Sequence, residues 1–513
     1  MSNNITKAWS EYEAGKEYKR SIGLYETVRR NERFYRGDQW RGSEGVDLPK
    51  PVFNIIKRVT DYLVCSVATG NYSLAYTDEN MPFYSSESER AAVKRALEVM
   101  TANARYRWER CRMNSMVYGL LLDAALSGDG VAYCYWDSTA PGDKRFSGDI
   151  GAQRIDNVNL FVADVNNPDI QSQDYVMLAG RENVEKLRAE ARENGVDEHE
   201  VMKIVADDDR SEGYDGRELD FGSKKATCLM KFHREGGKVV FEKCTKECII
   251  KRVETGCRLY PVALFNWTPT KNSFHGSSPV SEMIPNQKFI NRAYAMVMKH
   301  MTDTAFSKVV YDKSRIPEWS NEVGEAIAVV GATNVSDAVS VVGVGKMQDN
   351  YLELIENAVS TTKELMGATE TALGNTVPTN TSAILALKET SRMTLEQVSA
   401  AASKCIEEIA NIWADMMLAY YANDRLVPYI GEDGTACDNV DFDALRGSLI
   451  RAKVEVGEAT SYSASTAVSI LDKLLDGGYI SAKEYVEHLP SGFVLDRDIL
   501  AKEGGENNGG NDD

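Results

Sequence analysis

The side chains best suited to chemistry in this chain of 513 residues fall in one region: Cys228, His233, Cys244, Cys248 and Cys257. Thiolate and imidazole are the ligands zinc selects, and a structural zinc site takes them as close pairs on tight knuckles. Here four, ten, three and eight residues intervene. The cysteines sit in strand-like runs such as "CLMKFHRE" and "KVVFEK", where a small apolar Cys fills a core. Core filling is therefore the reading carried forward, with no metal and no cofactor expected. "GVGK" lacks the upstream glycine spacing and the hydroxyl of a phosphate-cradling loop, so a built-in ATPase is not expected. No G-x-S-x-G or H-E-x-x-H occurs. The remaining histidines, His199, His275, His300 and His488, each lack a nucleophile or carboxylate at informative spacing. No catalytic residue is assigned, and no enzyme is expected.

A different chemistry is carried by Lys288, Arg292 and Lys299. Steps of four and seven put these three cations on one face of a helix, opposite its apolar side. Such a row suits phosphates, holding nucleic acid without reading its sequence. The same spacing also describes an ordinary solvated face, and the residues alone leave both open.

Composition frames these choices. Hydrophobic content of 43% and charged content of 27% are those of a globular protein, and the length calls for two to four structural units. The net charge of −18 argues against a generic nucleic-acid binder, though not against a protein that lets DNA slide past ungripped. The longest apolar run, "VYGLLLDAAL", is interrupted by Asp123, so no membrane partner is expected. The N-terminus has no apolar signal region, and nine cysteines, an odd number, suit reduced thiols.

The elements follow from periodicity. Trp9, Tyr12, Ile22, Tyr25 and Val28 predict one helix over 6–35, ended by the Gly37-Asp38 breaker. Ile55, Ile56, Val59, Tyr62, Leu63 and Val67 predict a buried helix, and "ESERAAV…LLLDAAL" a long one to about Leu126. From 130 to 265 short strands dominate, with short helices near 183–206 and a charged loop, "ADDDRSEGYDGRELD". Ser277, Ser278 and Pro279 open a helix reaching Thr304, with Ile290, Ala293, Met296, Val297 and Met301 on one side and Pro285 as a kink or true start. A small α/β insertion follows over 305–346. Leu352, Ile355, Val359, Thr362 and Met366 mark the next helix. Leu395, Val398, Ala402, Cys405, Ile409, Ile412 and Met416 then step 3 and 4 through a stretch free of Gly and Pro. About forty residues there make a rod on the order of 60 Å, which needs partners in its own chain or in neighbouring copies.

Between the last two helices lies "MGATETALGNTVPTNTSAILALKE", Met366 to Glu389. It holds no His or Cys, no Lys or Arg before Lys388 and one acid, Glu370, before Glu389, so it is poorly equipped for acid–base or nucleophilic work, and a plain solvent-exposed connection between helices is one reading of it. Small hydroxyl and amide side chains suit a mobile loop that brushes a polyanion weakly.

This block order, with "FHGSSPVSEMIPNQKFINRAYAMVMKHM", "FYRGDQW" and "NVNLFVADVNNPDI", resembles the portal proteins of tailed bacteriophages over nearly the whole chain. The resemblance implies an α+β, predominantly helical fold with wing, stem, clip and crown regions and a long helix following a tunnel loop. The wing would be 1–276, the stem helices 277–304 and 348–366, and the clip 305–347. The tunnel loop would be 367–381, the long helix 382–424, the wing return strands 425–461, the crown 462–503 and a disordered acidic tail 504–513. It further implies a twelve-subunit ring at one capsid vertex of the virion, made in the host bacterial cytoplasm. The ring would conduct double-stranded DNA during packaging and ejection, beside major capsid and scaffolding proteins. Terminase and head–tail connector or adaptor proteins would dock on the clip, where Arg315, Glu318 and Trp319 are candidates. Thr369, Thr371, Asn375, Thr376, Thr379 and Asn380 would belong to the tunnel loop, and Lys288, Arg292 and Lys299 to the DNA channel. Two other readings stand beside it: another oligomeric virion or scaffold protein assembled through the long helix, and an enzyme housed in the 130–275 region.

Overall fold

A computed structural model describes residues 2–42, 48–68, 71–84, 86–141, 146–207, 224–305, 308–320, 327–331, 334, 338–342, 350–368, 393, 395–423, 425–431, 434–445, 448–457, 461–481, 485 and 489. The fold is α+β and rich in helix, and it is organised around the helix Glu396–Tyr420. This helix is the middle of the main core. Ala402, Cys405, Ile406, Ile409, Ile412, Trp413 and Met416 are buried against the helices Ile55–Ala68, Glu87–Arg110 and Met113–Ser127 and against three strand systems. The 3-4 seam read from the sequence is real, but its partners lie within the same chain, not in a neighbouring copy. Of the helix expected over 382–424, the described residues hold Glu396–Tyr420, with Leu395 in a turn just before it, and 382–392 lie outside the described residues.

Two other long helices are also divided. Gly23, at a φ of 68° that suits glycine, separates Ser2–Ser21 from Leu24–Arg36 where one helix is predicted. Arg112, at φ 51°, separates Glu87–Arg110 from Met113–Ser127. Neither break interrupts the apolar rhythm, which is why periodicity runs through both.

The sheets are antiparallel. Strands Leu160–Val162, Tyr175–Asn183, Lys225–Glu235, Lys238–Cys244 and Ile249–Glu254 form a meander in sequence order, carrying Val184–Glu193 and Glu198–Met202 at one end. Strand Asp129–Asp137 is the centre of a three-stranded sheet between Asp149–Ile155 and Val262–Asn266. Asn71–Asp78 pairs with Ile450–Gly457, so chain 372 to 386 residues apart closes one ladder, with Asn71 facing Gly457 at one end and Asp78 facing Ile450 at the other. In the 305–347 insertion the described part is a two-stranded ribbon, Lys308–Tyr311 against Val339–Val342, with no helix among the described residues. The charged loop expected near 206–220 and most of the second helix expected after Gly477-Gly478 lie outside the described residues.

Polar side chains dock the long helix on the sheet region. Asp415 accepts the backbone N–H groups of Arg258 and Leu259 at 2.7 and 2.9 Å. Glu408 accepts from Gln171 at 3.3 Å, and Gln171 in turn bonds both N–H and C=O of Tyr260 and accepts from Arg234. Arg107, sealed in the core, reaches Asp149 at 3.0 Å and the Tyr421 hydroxyl at 2.7 Å, fixing the far end of the helix. Burial pushes the Glu408 carboxyl up to about 7, with Gln171 opposing the rise. Folded Glu408 thus holds its proton more tightly than the unfolded residue, whose ordinary value is 4.5. Its contribution to stability is complete below that value and is lost as pH rises through about 7. In urea unfolding from about pH 5 to about pH 8, wild type is expected to lose stability relative to Glu408→Gln, which cannot titrate. Parallel profiles for the two proteins would contradict this.

Candidate functional site

The N-terminal half of the helix Pro279–Thr304 is where distant parts of the chain converge. Ser278 caps the helix, its hydroxyl accepting from Val280 N–H, and Pro279 occupies the first turn, where a missing N–H costs nothing. Pro285 lies inside the helix, so the true start is Pro279.

Its buried face carries amides among the aliphatics. Gln287 Oε1 accepts the backbone N–H groups of Ile55 and Ile56 at 3.0 and 3.3 Å, and Nε2 donates to Phe53 C=O at 2.8 Å and to Asn291 at 2.9 Å. Asn291 donates to Gln39 Oε1 at 2.6 Å, and Gln39 donates to Phe34 C=O and to Asn54. Asn31 donates to Ser278, Ser281 and the Leu126 carbonyl. One helix thereby holds the segment Phe34–Trp40, the entry to Ile55–Ala68 and the end of Met113–Ser127.

A second hub lies just ahead of the cap. Asp129, sealed from solvent, binds His275 Nδ1 at 2.5 Å, accepts from Asn157 and Asn266, and accepts Gly276 N–H at 2.7 Å. Gly128, at φ 96°, passes so close to Gly276 that a Cβ there would meet its carbonyl at 2.4 Å. Lys19 donates to the carbonyls of Asn157, Val158 and Leu160, while burial lowers its ammonium to about 7 against the pull of Asp156 and Asp129. His275 does have a carboxylate partner, 146 residues away in sequence, which no local spacing could reveal. With both Asp129 oxygens engaged and the pair closed to solvent, its role is structural.

The cation row lies on the outer side of the same helix. Lys288 and Arg292 are exposed, and Lys299 is partly covered and 3.6 Å from Asp303. Lys288 Nζ is 5.7 Å from the Phe34 ring centre. Ile290, Ala293 and Val297 are buried with Ile355 against the antiparallel helix Asn350–Leu365. Met296 and Met301, expected on that buried side, are instead exposed, as are Phe289 and Met298. Tyr351, Leu352 and Leu354 are exposed on the second helix. The outer face of this helix pair is thus a mixture of cations and large apolar side chains.

In the insertion, Arg315 pairs with Asp312 at 3.5 Å, Trp319 stacks on Tyr311 at 5.2 Å, and Glu318 is exposed. The tunnel-loop candidates Thr369, Thr371, Asn375, Thr376, Thr379 and Asn380 lie outside the described residues. The five Cys and His residues first considered for zinc are dispersed. Cys228 and Cys248 share one cluster, Cys244 is in another and Cys257 is in the main core. Burial pushes the thiols of Cys228, Cys244 and Cys257 up to about 12, away from the thiolate a metal requires. Among the described residues no group of three His, Cys, Asp or Glu side chains is placed to hold a metal, and no helix is long and apolar enough to cross a membrane.

Residues 233–448 match the family model described as phage P22-like portal protein. The portal resemblance holds over that stretch, somewhat under half of the chain, and it supports a phage portal role within a structural family of the capsid. No curated protein matches the chain. The segments "FYRGDQW" and "NVNLFVADVNNPDI" fall outside the match, yet Gln39 and Asn157 tie both to the matched part through the two hubs.

Replacing Gln287 by Leu strands the Ile55 and Ile56 amides and the Phe53 carbonyl. The expected loss is at least about 2 kcal/mol in urea unfolding, whereas Lys288→Gln next to it should stay within about 0.5 kcal/mol. Equal effects would refute the keystone role of Gln287.

Proposed function

We propose that this chain is the subunit of a phage portal. About a dozen copies form a ring at one capsid vertex, and the central channel passes double-stranded DNA inward during packaging and outward during ejection. Terminase and head–tail connector proteins dock on the ring, and capsid and scaffolding proteins surround it. The observation that carries this reading is the match over 233–448, which spans the helix pair, the insertion and the long helix. In this reading those are the stem, the clip and the helix after the tunnel loop, with 1–276 and the strands after 425 as wing and the segment from 462 as crown.

The surface of the helix pair supports assembly. Phe289, Met296, Met298, Met301, Tyr351, Leu352 and Leu354 are exposed on two neighbouring helices, more apolar surface in one place than a monomer leaves uncovered. Copies packed side by side in a closed heterologous ring would cover it. With the long helix already enclosed in its own chain, this pair is the better candidate for contact between copies. The net charge of −18, multiplied around the ring, would keep DNA from adhering to the wall, leaving Lys288, Arg292 and Lys299 as local phosphate contacts.

Negative-stain microscopy of the purified protein should reveal rings of about a dozen subunits with a central hole. A monomer or dimer would sink the proposal. Replacing Lys288, Arg292 and Lys299 together by Gln should leave rings intact and impair DNA packaging or retention in an assembled particle. Loss of the rings would instead make this mixed face a contact between copies.

A further inference from the structure

The helix Leu24–Arg36 carries four arginines in eight residues: Arg29, Arg30, Arg33 and Arg36. Its buried side consists of Leu24, Tyr25, Val28, Asn31 and Phe34. At 3.6 residues per turn the arginines fall together on the other side, within an arc of about 120° and along roughly 10 Å of axis. Arg36 is spoken for in part, by Glu32 at 3.4 Å. The other three take part in no ion pair or hydrogen bond among the described residues, although the Nε of each is buried. Buried Nε atoms without a partner also occur in Arg107 and Arg181, but those guanidiniums reach Asp149 and Asp207 through their other nitrogens, which Arg29, Arg30 and Arg33 do not among the described residues. The acidic side chain sharing the arc is the exposed Glu26, so the face keeps a clear positive excess within a chain of net charge −18.

A further cation lies on the neighbouring helix. Lys288 Nζ sits over the Phe34 ring, 5.7 Å from its centre, and Arg292 follows one turn further along Pro279–Thr304.

We infer that Arg29, Arg30 and Arg33 form a docking face for the phosphodiester backbone of double-stranded DNA. Within Leu24–Arg36 the arc holds Glu26 and the four arginines and no apolar side chain. An interface with an acidic protein segment would be expected to include an aromatic or aliphatic anchor, and backbone phosphates need none. The guanidinium forks of Arg29 and Arg33, about 6 Å apart along the axis, match about two successive phosphates on one strand. The outer face of Pro279–Thr304 is different: exposed Phe289 and Met296 interrupt its cations. The choice of DNA among polyanions rests on the portal reading; the existence of an unpaired cationic face does not.

The test uses the full-length protein, a fluorescent duplex of about thirty base pairs and a poly-glutamate competitor over a salt series. Wild type, Arg29→Gln/Arg30→Gln/Arg33→Gln and Arg29→Lys/Arg30→Lys/Arg33→Lys are compared. The Gln variant should bind duplex at least about tenfold more weakly at low salt, with the slope of log K against log salt reduced by roughly two to three. The Lys variant should keep most of the slope, which separates lost charge from lost folding. Duplex binding by the Gln variant at wild-type strength and slope overturns the inference, as does displacement of the duplex by poly-glutamate at equal charge. Negative-stain images of the same samples separate the two claims. Rings whose duplex binding ignores the arginines defeat this face alone, whereas absence of rings in wild type defeats the portal reading.

Discussion

Buried amide and carboxylate side chains that have no choice of partner organise this protein. Gln287 and Asn291 sit on the face of a helix that also buries Ile284 and Ile290, where an unmet polar group costs about 1–3 kcal/mol. The arrangement that meets all of their bonds brings Phe53, Ile55, Ile56 and Gln39 to fixed positions. Hydrophobic burial alone would tolerate a slide or rotation of the helix, because methyl groups are interchangeable in a way that donors and acceptors are not. Asp129 acts in the same way one turn earlier, tying His275 and Gly276 to Asn157 and Asn266. The N-terminal half of the helix is therefore fixed in position and rotation against the rest of the chain.

The long helix obeys the complementary rule. Its aliphatic seam is enclosed by the chain's own strands and helices, and Glu408 and Asp415 supply the directional bonds to the Arg258–Tyr260 segment. Enclosure keeps this seam off the surface, whereas the outer side of the helix pair leaves Phe289, Met296, Met298 and Met301 exposed. Charge divides similarly: the chain carries a net charge of −18, while Arg29, Arg30 and Arg33 stand together with buried Nε atoms that have no partner among the described residues.

Much of this was legible in the sequence, and what was missed follows a physical pattern. The 3.6-residue rhythm located nearly every helix, and β-branched and aromatic runs located four of the five strands of the meander, Ile249–Glu254 being missed. They could not locate the breaks at Gly23 and Arg112, where the chain changes direction without leaving the core. Met296 and Met301 were misassigned because periodicity marks an apolar face without saying whether the same chain covers it. Asp129 with His275, and Gln287 with Ile55, were invisible because their partners lie more than a hundred residues apart. The arginines of "TVRRNERFYR" were in plain view, but their lack of partners is a property of the folded surface.

The most direct measurement of the central claim is hydrogen–deuterium exchange at the amides of Ile55 and Ile56. Both are first-turn helix N–H groups, which an ordinary helix leaves without intrahelical partners and open to exchange. If Gln287 holds them as described, they exchange as slowly as the core of the long helix, and Gln287→Leu accelerates them while Ile409 keeps its protection. Rapid exchange of Ile55 and Ile56 in wild type, or no change in the variant, would contradict the account.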